Sequence, residues 1–279
     1  LVSAIPFTPV TGARMLISDE LDRTEFLKAL QTFLPGHCAR HGFSSWHLLF
    51  PEQSISNIFE MPYLQRKAVH FQWSNNDYLC FDDFLAEFSS RKRKNLRKER
   101  ASISQQGVVI EVLDGAEIGA DVWHQFYDFY QMTYAKRSGH GGYLPADFFE
   151  QISSTMRDDM VLVMAKYNEE YIAGALNFKG VDALYGRYWG CIEELKNLHF
   201  EVCYYQGIEY CIKQGLSRFD PGVQGEHKIQ RGFRPRYTYS NHYIAEQGFR
   251  QPIADFLAQE NTMLLEYYAD AEAYLPFKS

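Results

Sequence analysis

Three apolar segments stand in close succession at residues 160–191: Met160-Val-Leu-Val-Met-Ala-Lys-Tyr167, Tyr171-Ile-Ala-Gly-Ala-Leu-Asn-Phe-Lys179 and Ala183-Leu-Tyr-Gly-Arg-Tyr-Trp-Gly-Cys191. Their length and their content of branched and aromatic residues are typical of β-strands. Asn168-Glu-Glu170 between the first two predicts a tight turn. These residues therefore predict three consecutive strands.

A helix is predicted over residues 198–214, directly after these strands. Its apolar residues recur at helical spacing, at Phe200, Cys203, Tyr204, Gly207, Ile208, Cys211 and Ile212. Gly215 is suited to end this helix, and residues 216–220 predict a short strand.

The remaining elements extend this pattern in both directions. Upstream we expect a strand at 108–113 and helices at 117–136 and 145–156; downstream, a strand at 237–245. Further predicted elements are helices at 20–40, 83–106 and 252–274 and strands at 46–50 and 68–73. From Val108 the order is strand, helix, helix, three strands, helix, strand, loop, strand, which predicts an α/β (α+β) fold with a mixed sheet.

Composition limits the classes of protein. The 279 residues are 46% apolar, enough for a sizeable core, and the net charge of −7 argues against general nucleic-acid binding. No apolar run reaches the length of about 18 residues that a membrane span needs. The five cysteines form no CxxC pair, which favours a reducing, cytoplasmic compartment. The start at Leu1 resembles the interior of a domain, so we expect an N-terminally truncated chain.

Residues 219–235 concentrate ionisable side chains in one segment: Phe-Asp-Pro-Gly-Val-Gln-Gly-Glu-His-Lys-Ile-Gln-Arg-Gly-Phe-Arg-Pro. Three glycines and two prolines predict a loop. It carries Glu226, His227, Lys228 and Arg231, with Gln224 beside them. Turn residues that hold an acid, an imidazole and two cations together indicate a reaction site, and the alternative is a solvated charged loop.

Several of these segments also resemble a known family. They are Gly186-Arg-Tyr-Trp-Gly-Cys191, Leu198-His-Phe-Glu-Val-Cys-Tyr-Tyr205, the run from Phe219 to Lys228, Arg231-Gly-Phe233, and the basic run Arg91-Lys-Arg-Lys-Asn-Leu-Arg-Lys-Glu-Arg100. Together they resemble the FemAB-like N-acyltransferases, a bacterial family of the GNAT superfamily related to the Fem peptidoglycan aminoacyltransferases.

The resemblance implies tandem GNAT-like lobes. Residues 1–82 would form a partial first lobe that lacks its start, residues 83–245 a second lobe that carries the site, and residues 246–279 a C-terminal helix. In such folds the fourth and fifth strands separate, and the acyl donor lies in the gap. Tyr188-Trp-Gly190 and Asp220-Pro-Gly222 stand at the ends of these strands.

One departure from the GNAT pattern bears on the acyl donor. Enzymes of this superfamily that use CoA carry a glycine-rich turn whose backbone N–H groups hold the pyrophosphate. The corresponding segment, Glu194-Leu-Lys-Asn-Leu-His199, contains no glycine. We therefore expect no tightly bound cofactor, and the resemblance to the Fem enzymes, which use aminoacyl-tRNA, implies aminoacyl-tRNA rather than acyl-CoA as the co-substrate.

Acyl transfer to an amine requires a proton acceptor, stabilisation of the oxyanion and protonation of the leaving group. Glu226, His227 and Lys228 are the predicted catalytic residues. In an extended segment Glu226 and Lys228 face one way and His227 the other, and we favour the first two as the cleft pair. The alternative is a weak Glu–Lys pair on the surface.

Other residues are predicted to bind substrate. Arg231 suits a phosphate or carboxylate, although a salt bridge that stiffens the loop is equally open. Glu201 and Tyr205 lie one helical turn apart and off the apolar face, where they would line an acceptor pocket. The remaining candidates are Gln224, Tyr188, Trp189, His199 and Arg137, the last in a glycine-rich loop at 136–142 that suits a lid.

The basic run is a candidate nucleic-acid or phosphate contact. Its predicted contact residues are Arg91, Lys92, Arg93, Lys94, Arg97 and Lys98. A cluster so localised in an acidic protein suits a tRNA stem or an anionic cell-wall precursor, and a solvated helix is the alternative.

No metal site is expected. His37 and His41 are spaced i, i+4, but no third ligand of metal spacing follows.

Together with these residues, the resemblance implies an N-acyltransferase that joins an aminoacyl or acyl group from an activated donor to a primary amine of a small molecule or peptide. The alternatives are a CoA-dependent N-acetyltransferase and a peptidoglycan- or RNA-binding module on a GNAT scaffold.

Overall fold

The computed structural model describes residues 1–6, 8–223 and 225–278. The helices are α1 (Arg23–His41), α2 (Gln53–Ser56), α3 (Phe81–Ala86), α4 (Ser90–Gln105), α5 (Ala120–Ser138), α6 (Ala146–Thr155), α7 (Leu198–Phe200), α8 (Gln206–Gln214) and α9 (Gln247–Ala273). The strands are β1 (Val2–Ser3), β2 (Ser45–Leu49), β3 (Leu64–Ser74), β4 (Val108–Asp114), β5 (Met160–Tyr167), β6 (Glu170–Lys179), β7 (Ala183–Cys191), β8 (Arg218–Asp220) and β9 (Arg234–Ile244). The α/β class with a mixed sheet is confirmed.

The chain forms two compact units. One contains Leu1–Phe71 and Arg234–Tyr274, and the other contains Gln72–Phe233 and the C-terminal piece that begins at Leu275. These boundaries differ from the predicted lobes of 1–82, 83–245 and 246–279. Strand β9, expected in the second lobe, belongs to the first unit because it pairs with β2 in antiparallel register, Leu48 opposite Asn241.

The first unit places its strands in the order β1, β2, β9, β3. Helix α1 begins after Asp22, whose carboxylate accepts the N–H of Glu25 at 2.8 Å, and ends at Gly42 with a left-handed φ of 68°. Such capping residues are typical of helix ends. The helix predicted at 20–40 therefore lies within three residues of α1 at each end.

The second unit places its strands in the order β8, β7, β6, β5, β4. The pairs β4–β5, β5–β6 and β6–β7 are antiparallel, and the pair β7–β8 is parallel. The end of β3 adds Trp73 opposite Phe219 at the outer side of β8. The predicted strands at 160–167 and 183–191 have the observed bounds of β5 and β7.

Helices cover both faces of this sheet. Alternate residues of β5 pack against different layers: Leu162 contacts a cluster that includes Phe126 of α5, and Val163 contacts one that includes Val202. Because side chains alternate along a strand, both faces of β5 must be apolar. Burial of each such side chain contributes about 1.5–3 kcal/mol.

The single helix predicted at 83–106 is wrong in one respect, since two helices, α3 and α4, occupy this region. The carboxylate of Asp83 accepts the N–H groups of Leu79 and Cys80, which starts α3 at Phe81. Between the helices, Phe88 is fully buried and forms a β-bridge with Phe277. This contact joins two segments that are remote in the chain, and the spacing of apolar residues in the sequence does not reveal it.

Candidate functional site

Strands β7 and β8 separate within the second unit. They pair at Ala183 with Arg218, Leu184 with Phe219 and Tyr185 with Asp220, and no further. Strand β8 ends there, whereas β7 continues to Cys191. The gap lies where the resemblance to the GNAT fold implied it.

A cleft of about 460 Å³ opens at this separation, and we call it the β7–β8 cleft. It is lined by Tyr130, Thr133, Tyr134, Arg137, Ser138, Gly186, Arg187, Tyr188, Trp189, His199, Tyr204, Pro221, Gly222, Val223 and His227. Of the predicted substrate-binding residues, the structure therefore brings together Arg137, Tyr188, Trp189 and His199.

One wall of the cleft is held by buried charges. Gly222 donates its N–H to Oδ1 of Asp220 at 3.0 Å, and Nζ of Lys228 donates to the carbonyl oxygen of Gly222. Asp220 and Lys228 are both almost fully buried. Burial lowers the pKa of Lys228 to about 8, against the opposing effect of Asp220. The two buried side chains thus hold the backbone of the Pro221–Gly222 turn from the side that faces away from the cleft.

The expectation that Glu226 and Lys228 face the cleft together is wrong. Residues Glu226–Arg231 form a 3₁₀ turn, not an extended segment. With three residues per turn, positions two apart do not share a face. His227 lines the cleft, Glu226 is exposed, and Lys228 is buried beneath the wall. The catalytic roles of these three residues stay predictions.

His227 contacts Tyr204 across the cleft floor. The phenol oxygen of Tyr204 lies 2.8 Å from Nε2 of His227. Burial raises the pKa of Tyr204. Burial and the nearby cations of Arg231 and Lys228 lower the pKa of His227. A protonated phenol therefore meets a neutral imidazole at neutral pH.

His199 adds a second imidazole. Its ring centre lies 5.9 Å from that of His227 and 5.2 Å from that of Trp189. Burial, with the charges of His227 and Arg137, lowers the pKa of His199 to about 4. His199 is therefore neutral throughout the physiological range of pH.

The expectation that Glu201 and Tyr205 lie off the buried face is wrong, whereas their predicted role at an acceptor pocket stays a prediction. Both are buried: Glu201 is 3% exposed and accepts a hydrogen bond from Arg100 at 2.8 Å, and Tyr205 donates to Glu99. Residues Glu201–Tyr205 form a π-helical turn between α7 and α8. Such a turn rotates the following side chains relative to their positions in a regular α-helix. The face that regular helical spacing predicts for Glu201 and Tyr205 is therefore not the face on which they lie.

Arg231 forms a salt bridge inside the protein. Its Nη2 lies 2.9 and 3.0 Å from the two carboxylate oxygens of Glu99, and its Nη1 donates to the carbonyl of His227 at 2.8 Å. The guanidinium is almost fully buried and lies over the ring of Phe200 at 3.3 Å. This matches the alternative in which Arg231 stiffens the loop.

The glycine-rich loop after α5 is fastened to the cleft by Tyr130. Its hydroxyl accepts the N–H groups of Tyr143 and Leu144, each at 3.1 Å. A Cβ atom on Gly142, which has φ 99°, would lie 2.5 Å from the Tyr130 ring. Only glycine fits this close approach with such a φ.

The basic run lies on α4, outside the β7–β8 cleft. Lys92 donates to Gln230, and Arg97 pairs with Asp82 at 2.8 Å. Arg91, Lys94 and Lys98 are exposed, and Arg93 is partly so. Leu96 alone of residues 91–100 is buried, so most of the helix surface is basic and open to solvent.

Three further predictions concern Gln224, a metal site and a membrane span. Gln224 lies outside the described residues. The ring centres of His37 and His41 lie 4.5 Å apart with the rings tilted by 46°, and the described residues contain no group of three or more His, Cys, Asp or Glu able to hold a metal. Of the described helices, none combines the length and apolar character needed to cross a membrane.

Sequence reasoning missed several cleft residues. It placed Tyr204 on the apolar face of the helix predicted at 198–214, and the residue is buried, but its hydroxyl reaches His227. It named neither Arg187 nor Tyr130 and Tyr134 as site residues. The Gly186-Arg-Tyr-Trp segment contained a signal, because a cation between aromatic residues at a strand end suits ligand contact.

Solved structures of similar fold share little sequence with this chain. L-PGS from Bacillus licheniformis has a TM-score of 0.56 and 14% identity, over 85% of this chain and 78% of that one. FemX has a TM-score of 0.54 and 14% identity, over 90% of this chain and 85% of that one. At this identity the likeness shows the fold alone.

No curated protein matches the chain. A family model, FemAB-like, described as peptidoglycan biosynthesis/recognition, matches residues 1–279. The match covers the strands that separate, the cleft between them and the loop that carries His227. The chain therefore belongs to the FemAB-like family.

Proposed function

We propose that the chain is an N-acyltransferase that moves an aminoacyl or acyl group from an activated donor to the primary amine of a peptidoglycan-related peptide or small molecule. The contact between Tyr204 and His227 in the β7–β8 cleft carries the proposal, because it joins a proton donor to a proton acceptor where two parallel strands separate. Membership in the FemAB-like family supports a transferase in peptidoglycan-related processes.

The proposed reaction balances its protons through these two residues. The amine nitrogen bonds to the acyl carbon while the bond from that carbon to the leaving oxygen breaks. In the tautomer with hydrogen on Nε2, Nδ1 of His227 accepts the proton that the amine loses. Tyr204 donates its proton to the leaving oxygen and regains one from Nε2 of His227, 2.8 Å away.

We propose aminoacyl-tRNA as the donor, in the cytoplasm, with no tightly bound cofactor. The backbone before α7 supports this choice. Leu198 donates its N–H to the carbonyl of Leu195 at 3.2 Å, and its side chain is buried. Because this N–H is already engaged and no glycine opens the turn, the segment is poorly suited to hold a pyrophosphate.

Turnover with matched donors tests the function. The chain would be incubated with a lysine-containing peptide and either bulk aminoacylated tRNA or acetyl-CoA, and the peptide mass measured. Addition of an aminoacyl mass is the expected result. An acetyl product instead would replace the donor, and no product from either would favour the binding module.

Binding of tRNA tests the donor separately. Replacement of Arg91, Arg93 and Lys94 by Gln should weaken tRNA binding and reduce the slope of log affinity against log salt, by roughly 0.7–0.9 for each phosphate that is no longer neutralised. Replacement of Arg23, Lys28 and Arg40, which lie on or at the start of α1, removes the same charge and should leave the slope unchanged. Equal effects of both variants would contradict a specific role for α4.

A further inference from the structure

The β7–β8 cleft has a distinctive charge. Arg137 and Arg187 line it, and no Asp or Glu does so among the described residues. The whole chain contains more acidic than basic residues, 35 against 28, so the local charge of the cleft is opposite in sign to the net charge of the protein. A positive cleft of this kind attracts anions.

The two arginines approach the cleft from different elements. Arg137 lies in the last turn of α5, and Arg187 lies in the middle of β7. Arg137 lowers the pKa of His199, and Arg187 opposes the rise that burial causes in the pKa of Tyr134. Both positive charges therefore act on side chains inside the cleft.

Aromatic walls surround these charges. The rings of Tyr130 and Tyr188 meet edge to face at 5.3 Å, and the guanidinium of Arg187 lies 5.3 Å from the ring centre of Tyr188. Trp189 continues the wall toward His199 at 5.2 Å. A charge beside apolar surface interacts more strongly with an opposite charge than it would in bulk water.

Arg137 is suited to an external anion. It is exposed at its helix end, and it forms no ion pair within residues 1–6, 8–223 and 225–278. Its charge acts on His199, whose ring lies 5.9 Å from that of His227, the proposed acceptor of the amine proton. An anion bound by Arg137 would therefore lie near the reacting amine.

We propose that Arg137 and Arg187 form an anion subsite that binds a carboxylate of the amine acceptor. The acceptor is then a peptide or amino acid that bears a free carboxylate near its reacting amine. A guanidinium matches a carboxylate with two parallel N–H···O bonds. That the bound molecule is the amine acceptor rests on the proposed acyltransferase function. The anion subsite itself rests only on the residues of the cleft.

Binding of two matched peptides tests the subsite. The probes are Ala-Ala-Lys-Ala with a free C-terminal carboxylate and the same peptide with a C-terminal carboxamide, and the readout is calorimetric Kd. The carboxylate should bind about tenfold more tightly or better, as expected for a charged hydrogen-bonded pair. Arg137→Met and Arg187→Met should each bring this ratio toward one.

Arg236→Met is the matched control, because Arg236 is exposed on β9 in the other unit. It should keep the full preference for the carboxylate. Arg137 is itself exposed, so its replacement is not expected to unfold the chain, and a thermal melt checks this. Equal Kd values for the two peptides in the unaltered protein would overturn the subsite.

A donor phosphate is the competing source of the anion. If Arg137→Met weakens binding of pyrophosphate or tRNA but leaves the peptide preference intact, the anion belongs to the donor and the proposal is overturned. A preference for the carboxylate peptide without any acyl transfer would contradict the acyltransferase proposal but support the anion subsite. Acyl transfer without a preference for the carboxylate peptide would support the acyltransferase proposal and overturn the anion subsite.

Discussion

The hydroxyl of Tyr204 lies 2.8 Å from Nε2 of His227, although 23 positions separate the two residues in the chain. Tyr204 comes from the π-helical turn and His227 from the 3₁₀ turn. Burial keeps the phenol protonated, and burial with two nearby cations keeps the imidazole neutral. The pair therefore holds one donor and one acceptor ready for proton exchange.

Replacement of His227 by Gln should reduce kcat/KM by about 10²–10⁴, the usual contribution of a general base. The pKa of His227 is lowered, so the neutral base persists below the ordinary range of histidine. Activity should be full at neutral pH and fall as pH drops through this lowered pKa. In His227→Gln that acid limb should disappear from the pH profile of kcat/KM.

Tyr204→Phe is the companion variant, and it keeps the ring while removing the hydroxyl. We expect it to lower kcat with little change in the acid limb, because His227 still titrates. A variant with unaltered kcat would contradict the proposed proton relay.

Lys228 should make stability depend on alkaline pH. Its folded pKa is lowered to about 8, so between pH 8 and about 10 the unfolded chain binds more protons than the folded chain. The free energy of unfolding therefore rises with pH across this window. Lys228→Met should lack this rise, and the difference between the two proteins should change by about 3 kcal/mol at most.

Urea unfolding at pH 7, 8, 9 and 10 measures this difference. Ionisation of cysteines and tyrosines remote from Lys228 occurs in both proteins and cancels in the comparison, whereas Cys203 is coupled to Lys228 because burial raises the pKa of its thiol and the lysine charge opposes that rise. A difference that stays constant from pH 7 to pH 10 would show that Lys228 is not a lowered-pKa group.

The Glu99–Arg231 bridge should matter far more than an exposed pair on the same helix. The side chains of Glu99 and Arg231 are 27% and 7% exposed, whereas those of Asp82 and Arg97 are 70% and 57% exposed. Glu99→Gln should cost about 2–3 kcal/mol because it leaves a buried guanidinium without its counter-charge.

Asp82→Asn is the control, and it should cost less than about 1 kcal/mol. Chemical denaturation of both variants gives the comparison. Similar losses for the two would show that the Arg231 charge is not buried in solution.

Gly190 should tolerate no side chain. A Cβ atom there would lie 2.0 Å from the carbonyl oxygen of Phe129, so α5 would have to move away from β7. Gly190→Ala should therefore lower the free energy of unfolding by about 1–3 kcal/mol or more.

Gly36→Ala is the matched control inside α1, where a Cβ would meet nothing within 4 Å. It should stabilise the protein by about 0.5–1 kcal/mol, because alanine is the better helix former. Thermal melts of both variants test the contrast, and a neutral Gly190→Ala would show that α5 and β7 pack less closely than described.

Local patterns were enough to predict much of the fold. The bounds of β5 and β7 follow from short apolar runs between turn residues, and the turn at Asn168–Glu169 has the positive φ values of 50° and 66° that such a hairpin turn adopts. The loop that carries His227 is the segment that the sequence singled out, although the sequence favoured Glu226 and Lys228 as the residues that face the cleft. Each of these features depends on residues that are close together in the chain.

Which side chains face the cleft depended on the tertiary structure. The π-helical turn moved Glu201 and Tyr205 inward, where Arg100 and Glu99 engage them, and the 3₁₀ turn separated Lys228 from Glu226. The π-helical turn has more residues per turn than an α-helix, and the 3₁₀ turn replaces the alternation of an extended segment with three residues per turn. Both changes rotate side chains without altering the apolar pattern.

Hydrophobic spacing and turn residues act over short distances, so they were enough to predict the succession of elements from Val108 onward, the α/β class and the loop that carries the candidate site. Tertiary structure decided that Tyr204 meets His227, that Arg231 is paired with Glu99, and that Arg137 and Arg187 share one cleft. Those relationships join residues far apart in the chain, and their protonation states depend on burial and neighbouring charge, which arise only when the chain is packed.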